Sequence, residues 1–326
     1  MLKPIEVRHT NPGATGHGGG IERFNREVRE LLKGSKFETV DELNSFLKQK
    51  LASGELNSKL DVPRQQVDPV DQAQELCWQA MDAPSPARAR KLYDEALSLD
   101  PDCTDALIYK AGRSKNLIHA VELLERAVLK AAGRLGGQAF FQKNTGHFWG
   151  ITETRPYMRA KAALAETYVE AGRQLDAIAE YEHMLELCPN DNLGVRYILL
   201  GKYLRAAELH RSRRLLNSYE ETSAMFLYAR TVLAVLDQDL TTAKRVLGYA
   251  IRANPYVYEI LARLRDEPLE EGPEFYSPGE ESEAAMVLEC LGEAFLSSPA
   301  VALWFHDQSV ARGHRPKSPH LDIPLQ

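Results

Sequence analysis

The densest collection of reactive and recognition-competent side chains lies between residues 140 and 159. There Phe140, Phe141, Lys143, Asn144, His147, Phe148 and Trp149 are followed by Thr152, Arg155, Tyr157 and Arg159. Rings offer broad contact area and guanidinium groups pair with acids or stack on rings, which is the composition of interface hot spots. A second account of the same residues is structural: the aromatics cap an apolar groove between helices and the arginines pair with nearby carboxylates. A further candidate is the turn PNDNLGVRY, in which Asn190, Asp191 and Asn192 can cap the next helix while Arg196 and Tyr197 project from its first turns. The partner-contacting set predicted from these two stretches is Lys143, Asn144, His147, Trp149, Arg155, Tyr157, Arg159, Arg196 and Tyr197. The strongest basic run, HRSRRLL, places Arg211, Arg213 and Arg214 near His210 and reads as a solvated helix face, with phosphate or acidic-peptide contact as its alternative.

Catalytic chemistry has no matching pattern. No GxSxG elbow, HExxH pair, EF-hand loop or dinucleotide glycine fingerprint occurs. The glycine-rich opening HTNPGATGHGGG lacks the G-K-[ST] ending and the preceding strand of a phosphate loop. His9 and His17 fall in that segment without further ligands, and an unrecognised enzyme using His147 and nearby acids is a third, minor alternative. Cys77, Cys103, Cys188 and Cys290 form no CxxC pair, so the expectation is free buried thiols, with neither a disulfide framework nor a zinc site. The expected protein is not an enzyme and uses no cofactor or metal.

Charge and hydropathy bound the class. With 326 residues, 44% hydrophobic and 26% charged, the chain falls among ordinary folded proteins rather than disordered ones. A formal net charge of -6 and a pI near 5.9 argue against a dedicated polyanion binder. The start MLKPIEVRHTNPG has no apolar core of the secretory type, and no window resembles a membrane span. The expected setting is cytoplasmic, with no membrane partner.

The elements that must position these groups are helices. Ile21, Phe24, Val28, Leu31 and Leu32 share one helical face, and Thr39 with Glu42 forms a capping box before Val40, Leu43, Phe46, Leu47 and Leu51. Further on, one spacing recurs: an alanine, a ring or leucine four residues later, a small or apolar residue three beyond, then a proline five beyond. Ala89, Tyr93, Ala96 and Pro101 show it, as do Ala177, Tyr181, Met184 and Pro189, and Ala243, Leu247, Ala250 and Pro255. Ala120, Leu124 and Ala127 repeat it without the proline. The first three positions lie on one face of a second helix, where the alanine lets the preceding helix come close. The excess length in GRLGGQAFFQKNTGHFWGITETRP reads as an insertion rather than a helix.

This spacing resembles the tetratricopeptide repeat, a helix pair with a period of about 34 residues. The fold implied is all-α: a tetratricopeptide-like helical-repeat solenoid with an N-terminal helical hairpin and a C-terminal helical cap. The expected boundaries are a flexible lead 1–19, the hairpin 20–52, a linker 53–69 and an array 70–264 with its insertion at 131–157. An acidic loop 265–281, the cap 282–308 and a flexible tail 309–326 complete the chain. The phrases HFWGITETRPYMRAKAALAE, PNDNLGVRYILL and FYSPGEESEAA resemble a bacterial group of tetratricopeptide proteins distantly similar to the suppressor-of-tumorigenicity-seven family. That resemblance implies helical repeats and no site residues. GGIERFNREVRELL is similar to the stretch around the last acidic residue of transposase and integrase cores, but about twenty residues upstream of Glu22 cannot supply the other metal carboxylates. The expected function is a non-catalytic scaffold or adaptor binding a protein or peptide. A nucleic-acid-associated regulator, using the N-terminal hairpin and the basic run, is the alternative.

Overall fold

The computed structural model describes residues 68–265 and 276–317, with single positions between 32 and 53. The expected lead, hairpin, most of the linker and much of the acidic loop and tail therefore lie outside the described residues. Within them every regular element is helical and no strand occurs. The chain divides into two compact units, Met1–Leu193 and Gly194–Gln326.

In the first unit, α1 (Pro69–Met81) pairs with α2 (Pro86–Leu99), α3 (Thr104–Gly112) with α4 (Leu117–Arg134), and α6 (Arg155–Glu170) with α7 (Gln174–Leu187). Successive pairs stack, with α2 on α3 and α4 on α6, while the first helices α1, α3 and α6 also touch in order. Between α4 and α6 the expected insertion is not purely loop: it folds into α5 (Gly137–Asn144) and two short 3-10 turns, Phe148–Gly150 and Thr152–Thr154. Apolar Phe140 and Phe141 at adjacent positions give no amphipathic period, which is why spacing alone missed this helix.

The second unit pairs α8 (Val195–Arg205) with α9 (Leu209–Ser218) and α10 (Ala224–Leu236) with α11 (Leu240–Ala253), followed by the short α12 (Pro255–Leu261). The last helices are α13 (Glu281–Leu296) and α14 (Pro299–Ala311). Rather than packing only on the preceding helix, α13 lies across α8, α10 and α12, with its most extensive contact to α8.

Local chemistry explains the boundaries. Ser85, Asn116, Ser223, Asp239, Asn254 and Ser298 each accept a backbone N–H of the first helical turn, and Pro86, Pro255 and Pro299 take the first helical position, where no N–H is needed. Pro255 thus begins α12 with only Asn254 between it and the end of α11. Helix exits repeat as well. At Gly172 the N–H bonds to the Val169 carbonyl and the following Arg173 N–H to that of Tyr168, a Schellman turn with a left-handed residue. The same pair of bonds recurs around Ala207, Gln238 and Arg263, all with positive φ.

The recurring spacing maps onto the second helices. Ala177, Tyr181 and Met184 on α7 are at most 2% exposed, and Ala243, Leu247 and Ala250 on α11 are fully buried. Tyr93 and Ala96 on α2 and Ala120, Leu124 and Ala127 on α4 are buried in the same way. The tightest approach is at Gly201 on α8, where a Cβ would collide with the Cys290 carbonyl of α13.

Two substitutions test these contacts by urea unfolding. Gly201→Ala is expected to destabilise the protein by about 1–3 kcal/mol, because backbone cannot yield as a side chain does. Gln238→Gly is expected to stabilise it by up to about 1 kcal/mol, since an exposed non-glycine residue there holds a left-handed conformation at φ 62°.

Candidate functional site

The first helices of unit 1 share a polar row. Asp105, on α3 and only 3% exposed, accepts Gln74 Nε2 of α1 at 2.8 Å and a two-pronged guanidinium from Arg159 of α6 at 2.9 and 2.7 Å. One buried carboxylate therefore ties three helices at one level. Around it Tyr93 and Tyr109 stack at 4.1 Å between ring centroids, and burial with the nearby Asp105 charge pushes the Tyr93 phenol well above its ordinary range.

The aromatic insertion sits beside this row, on α6 and the elements that precede it. Phe148 is fully buried and meets Phe140, Phe141 and Tyr157 at 6.1, 5.1 and 6.1 Å, and Tyr157 meets Phe141 edge-on at 5.3 Å. Burial lifts the Tyr157 phenol to about 12. The segment is pinned by Thr154, whose buried hydroxyl donates to the Phe148 and Ile151 carbonyls, and by the Gly146 N–H, which reaches the Leu187 carbonyl at 3.0 Å. Lys161 is buried with Glu180 as its ion-pair partner and stands 5.7 Å from the Tyr157 ring.

The nine predicted contact residues thus fall into different environments. Tyr157 belongs to the core and Arg159 to the ion pair with Asp105, as the structural account of the arginines requires. Lys143 and His147 are exposed, whereas Asn144 donates to the Phe140 carbonyl at 2.8 Å. Trp149 is half-buried under Arg155, whose guanidinium lies 5.3 Å from the ring and whose Nε donates to the Trp149 carbonyl at 3.3 Å. Of this group, then, Lys143 and His147 are exposed, and Asn144, Trp149, Arg155 and Arg159 are half-buried, Arg159 being engaged by Asp105. Arg196 and Tyr197 sit in the second unit, joined through Glu221: the guanidinium at 3.1 Å, the phenol at 2.8 Å, with Arg196 also 4.1 Å from the Tyr197 ring.

What sequence reasoning missed is the occupied face of the second unit. Ala284, Val287 and Leu291 of α13 are fully buried and Ala294 and Phe295 nearly so. Both ends of the helix are held by polar groups. Near its start, fully buried Asn254 donates to the Glu280 carbonyl at 2.9 Å and to the Glu283 carboxylate at 3.0 Å, which also accepts the Gly279 N–H. Near its end, Glu293 takes Lys202 at 3.2 Å and Arg205 at 2.8 Å, both from α8. Helical periodicity suggests Ala285, Val287, Leu288, Leu291 and Phe295 as the packing face; Val287, Leu291 and Phe295 are buried, but Ala284 and Ala294 take the places of the half-buried Ala285 and Leu288. Their target lies about ninety positions upstream, which periodicity cannot reveal.

The basic run on α9 is partly neutralised. Arg213 pairs with Asp237, and Arg211 stands 5.8 Å from the Tyr203 ring. Arg213, Arg230 and Arg245 line a cleft of about 470 Å³ together with Leu227, Val246 and Tyr249, but Arg230 spends a guanidinium N–H on the Leu216 carbonyl at 2.6 Å. Among the described residues no group of three or more His, Cys, Asp or Glu side chains is placed to hold a metal ion, and no helix is long and apolar enough to cross a membrane.

No family model matches the chain, and a search of curated proteins finds no match.

Arg159→Ala leaves the Asp105 carboxylate buried with Gln74 alone, an expected loss of about 3–5 kcal/mol in chemical unfolding. The Asp105→Ala, Arg159→Ala double variant should lose less than the two single changes combined. A pH dependence follows from Glu293, where burial raises the carboxyl pKa but Lys202 and Arg205 outweigh it and hold it below its ordinary value of 4.5. The contribution is therefore present above that value and is lost as pH falls through the lower folded one. In acid titration of stability, a Lys202→Met, Arg205→Met variant should show a smaller decline below about pH 4.5 than the unaltered chain.

Proposed function

We propose that the chain is a non-catalytic scaffold or adaptor that binds a protein or peptide segment on a tetratricopeptide-like helical array, in a cytoplasmic setting. The observation that carries this reading is α13: a helix from the same chain lies across the first-helix face formed by α8, α10 and α12. A face of that construction accepts a helical segment through small apolar residues, with charge and amide clamps at the ends. The corresponding face of the first unit, made by α1, α3 and α6, carries no such helix among the described residues.

Three further features support the repeat reading. Helices pair in sequence order, the first members α1, α3 and α6 touch in order in one unit and α8 and α10 in the other, and the spacing of alanine and larger residues falls on the buried side of the second members. The Schellman turns around Gly172, Ala207 and Gln238 are separated by roughly one repeat period each. On this reading Lys143, His147, Trp149 and Arg155 contribute a recognition edge next to the α6 face of the first unit. The basic run would then serve solubility, and no nucleic-acid contact is assigned to it.

The test is affinity capture from cell extract with the unaltered protein beside a Trp149→Ala, Arg155→Ala variant whose helicity is first verified by circular dichroism. A protein retained by the first and lost at least tenfold by the second supports binding at the insertion edge. Retention of the same protein by both moves the contact to the helical face. Retention only of nuclease-sensitive material overturns the reading in favour of nucleic-acid association.

A further inference from the structure

Two of the four cysteines lie side by side. Cys77 on α1 and Cys103, immediately before α3, are 26 positions apart in the chain, yet their sulfurs are 3.4 Å from each other and share a hydrogen bond. Both are at most 2% exposed, in a cluster with Ala73, Leu92, Tyr93 and Ala106. A disulfide needs an S–S distance of about 2.05 Å, so the two sulfurs have to close by about 1.3 Å from the 3.4 Å seen here. Cys188 instead donates to the Asn192 side chain, and Cys290 is in the other unit.

We propose that Cys77 and Cys103 form a peroxide-sensitive dithiol that converts to an intramolecular disulfide, locking α1 to the start of α3 beside the Gln74, Asp105 and Arg159 row. Two members of the row are close to the pair in sequence. Gln74 lies three positions before Cys77 on α1, and Asp105 two positions after Cys103. Hydrogen peroxide is the oxidant class that suits a buried pair, being little larger than water.

Cys103 is the attacking thiol. The Cys77 thiol and the nearby Ala106 N–H at the start of α3 hold it below the ordinary thiol range, while the Cys103 contact and burial push Cys77 up. Attack of the Cys103 thiolate on peroxide forms an S–O bond and breaks the O–O bond. Hydroxide leaves and takes up the proton released from the thiol, giving a sulfenic acid and water. The Cys77 sulfur then attacks the Cys103 sulfur. The S–S bond forms, the S–O bond breaks, and the departing hydroxyl takes the Cys77 proton as a second water. Two thiols are oxidised and one peroxide is reduced to two waters.

The experiment exposes the full chain to hydrogen peroxide, quenches it, then alkylates the unfolded protein and measures intact and peptide masses. Two of the four cysteines should resist alkylation, the cross-linked peptide should contain Cys77 and Cys103, and a thiol reductant should restore all four sites. Oxidation should also raise the melting temperature by several degrees, because the bridge restricts the unfolded chain. The same treatment in urea should give mixed pairings. Alkylation at all four positions, a bridge to Cys188 or Cys290, or over-oxidation without a bridge would each overturn the proposal. In a Cys77→Ser variant, dimedone should label Cys103; labelling elsewhere would overturn its assignment as the attacking group.

Discussion

Close approach of helices through small residues is the constraint on which both units depend. Ala96, Ala106, Ala127, Ala160, Ala165, Ala177, Ala243 and Ala250 have no exposed surface, and each lets a neighbouring helix come near enough for Tyr181, Leu124 or Leu247 to fill the remaining gap. Gly201 is the limiting case, a position where even one carbon is too many because the neighbour is main chain. Such contacts fix distance but little else. A surface of alanines is smooth, and helices could slide along it without a large change in buried area.

Registry comes from a few buried polar groups, each with several partners. Asp105 holds α1, α3 and α6 together, and Asn254 at once caps α12, accepts nothing it cannot satisfy, and grips the beginning of α13. The Tyr228 hydroxyl reaches the Asn254 carbonyl at 2.6 Å, so the same residue also joins α10. A displacement by one helical turn would leave these groups buried and unpaired, at a cost larger than that of moving an alanine. The apolar surfaces provide cohesion and the polar hubs select one alignment.

The helix pairs and their inward faces were legible in the sequence because the information is local. Ala177, Tyr181 and Met184 span two turns, and their common face needs only the helical period. The capping expected of Asn190, Asp191 and Asn192 does not occur: Gly194, with positive φ, precedes α8 and no side chain caps it, while Asn192 accepts the Cys188 thiol instead. Three features were not legible. The helix α5 carries adjacent phenylalanines instead of a periodic stripe, the Arg159 and Asp105 pair spans 54 positions, and α13 finds its partner α8 nearly the length of the unit away. Among the candidate contact residues, composition identified a chemically concentrated stretch. It could not separate Tyr157 and Arg159, whose partners are internal, from Trp149 and Arg155 at the edge, because that distinction depends on which carboxylate and which rings the fold brings alongside.

The return of α13 to α8 also orders events in time. Synthesis proceeds from the amino end, so α8, α10 and α12 are complete while the segment that covers them is still to be translated. During that interval Val257 and the surface around Gly201 lack their final neighbour, and the pairing that closes the unit has a long sequence separation of the kind that slows folding. Until Glu281–Leu296 is made, the face of α8, α10 and α12 is an unfinished apolar trough, so completing this helix also removes a surface prone to association.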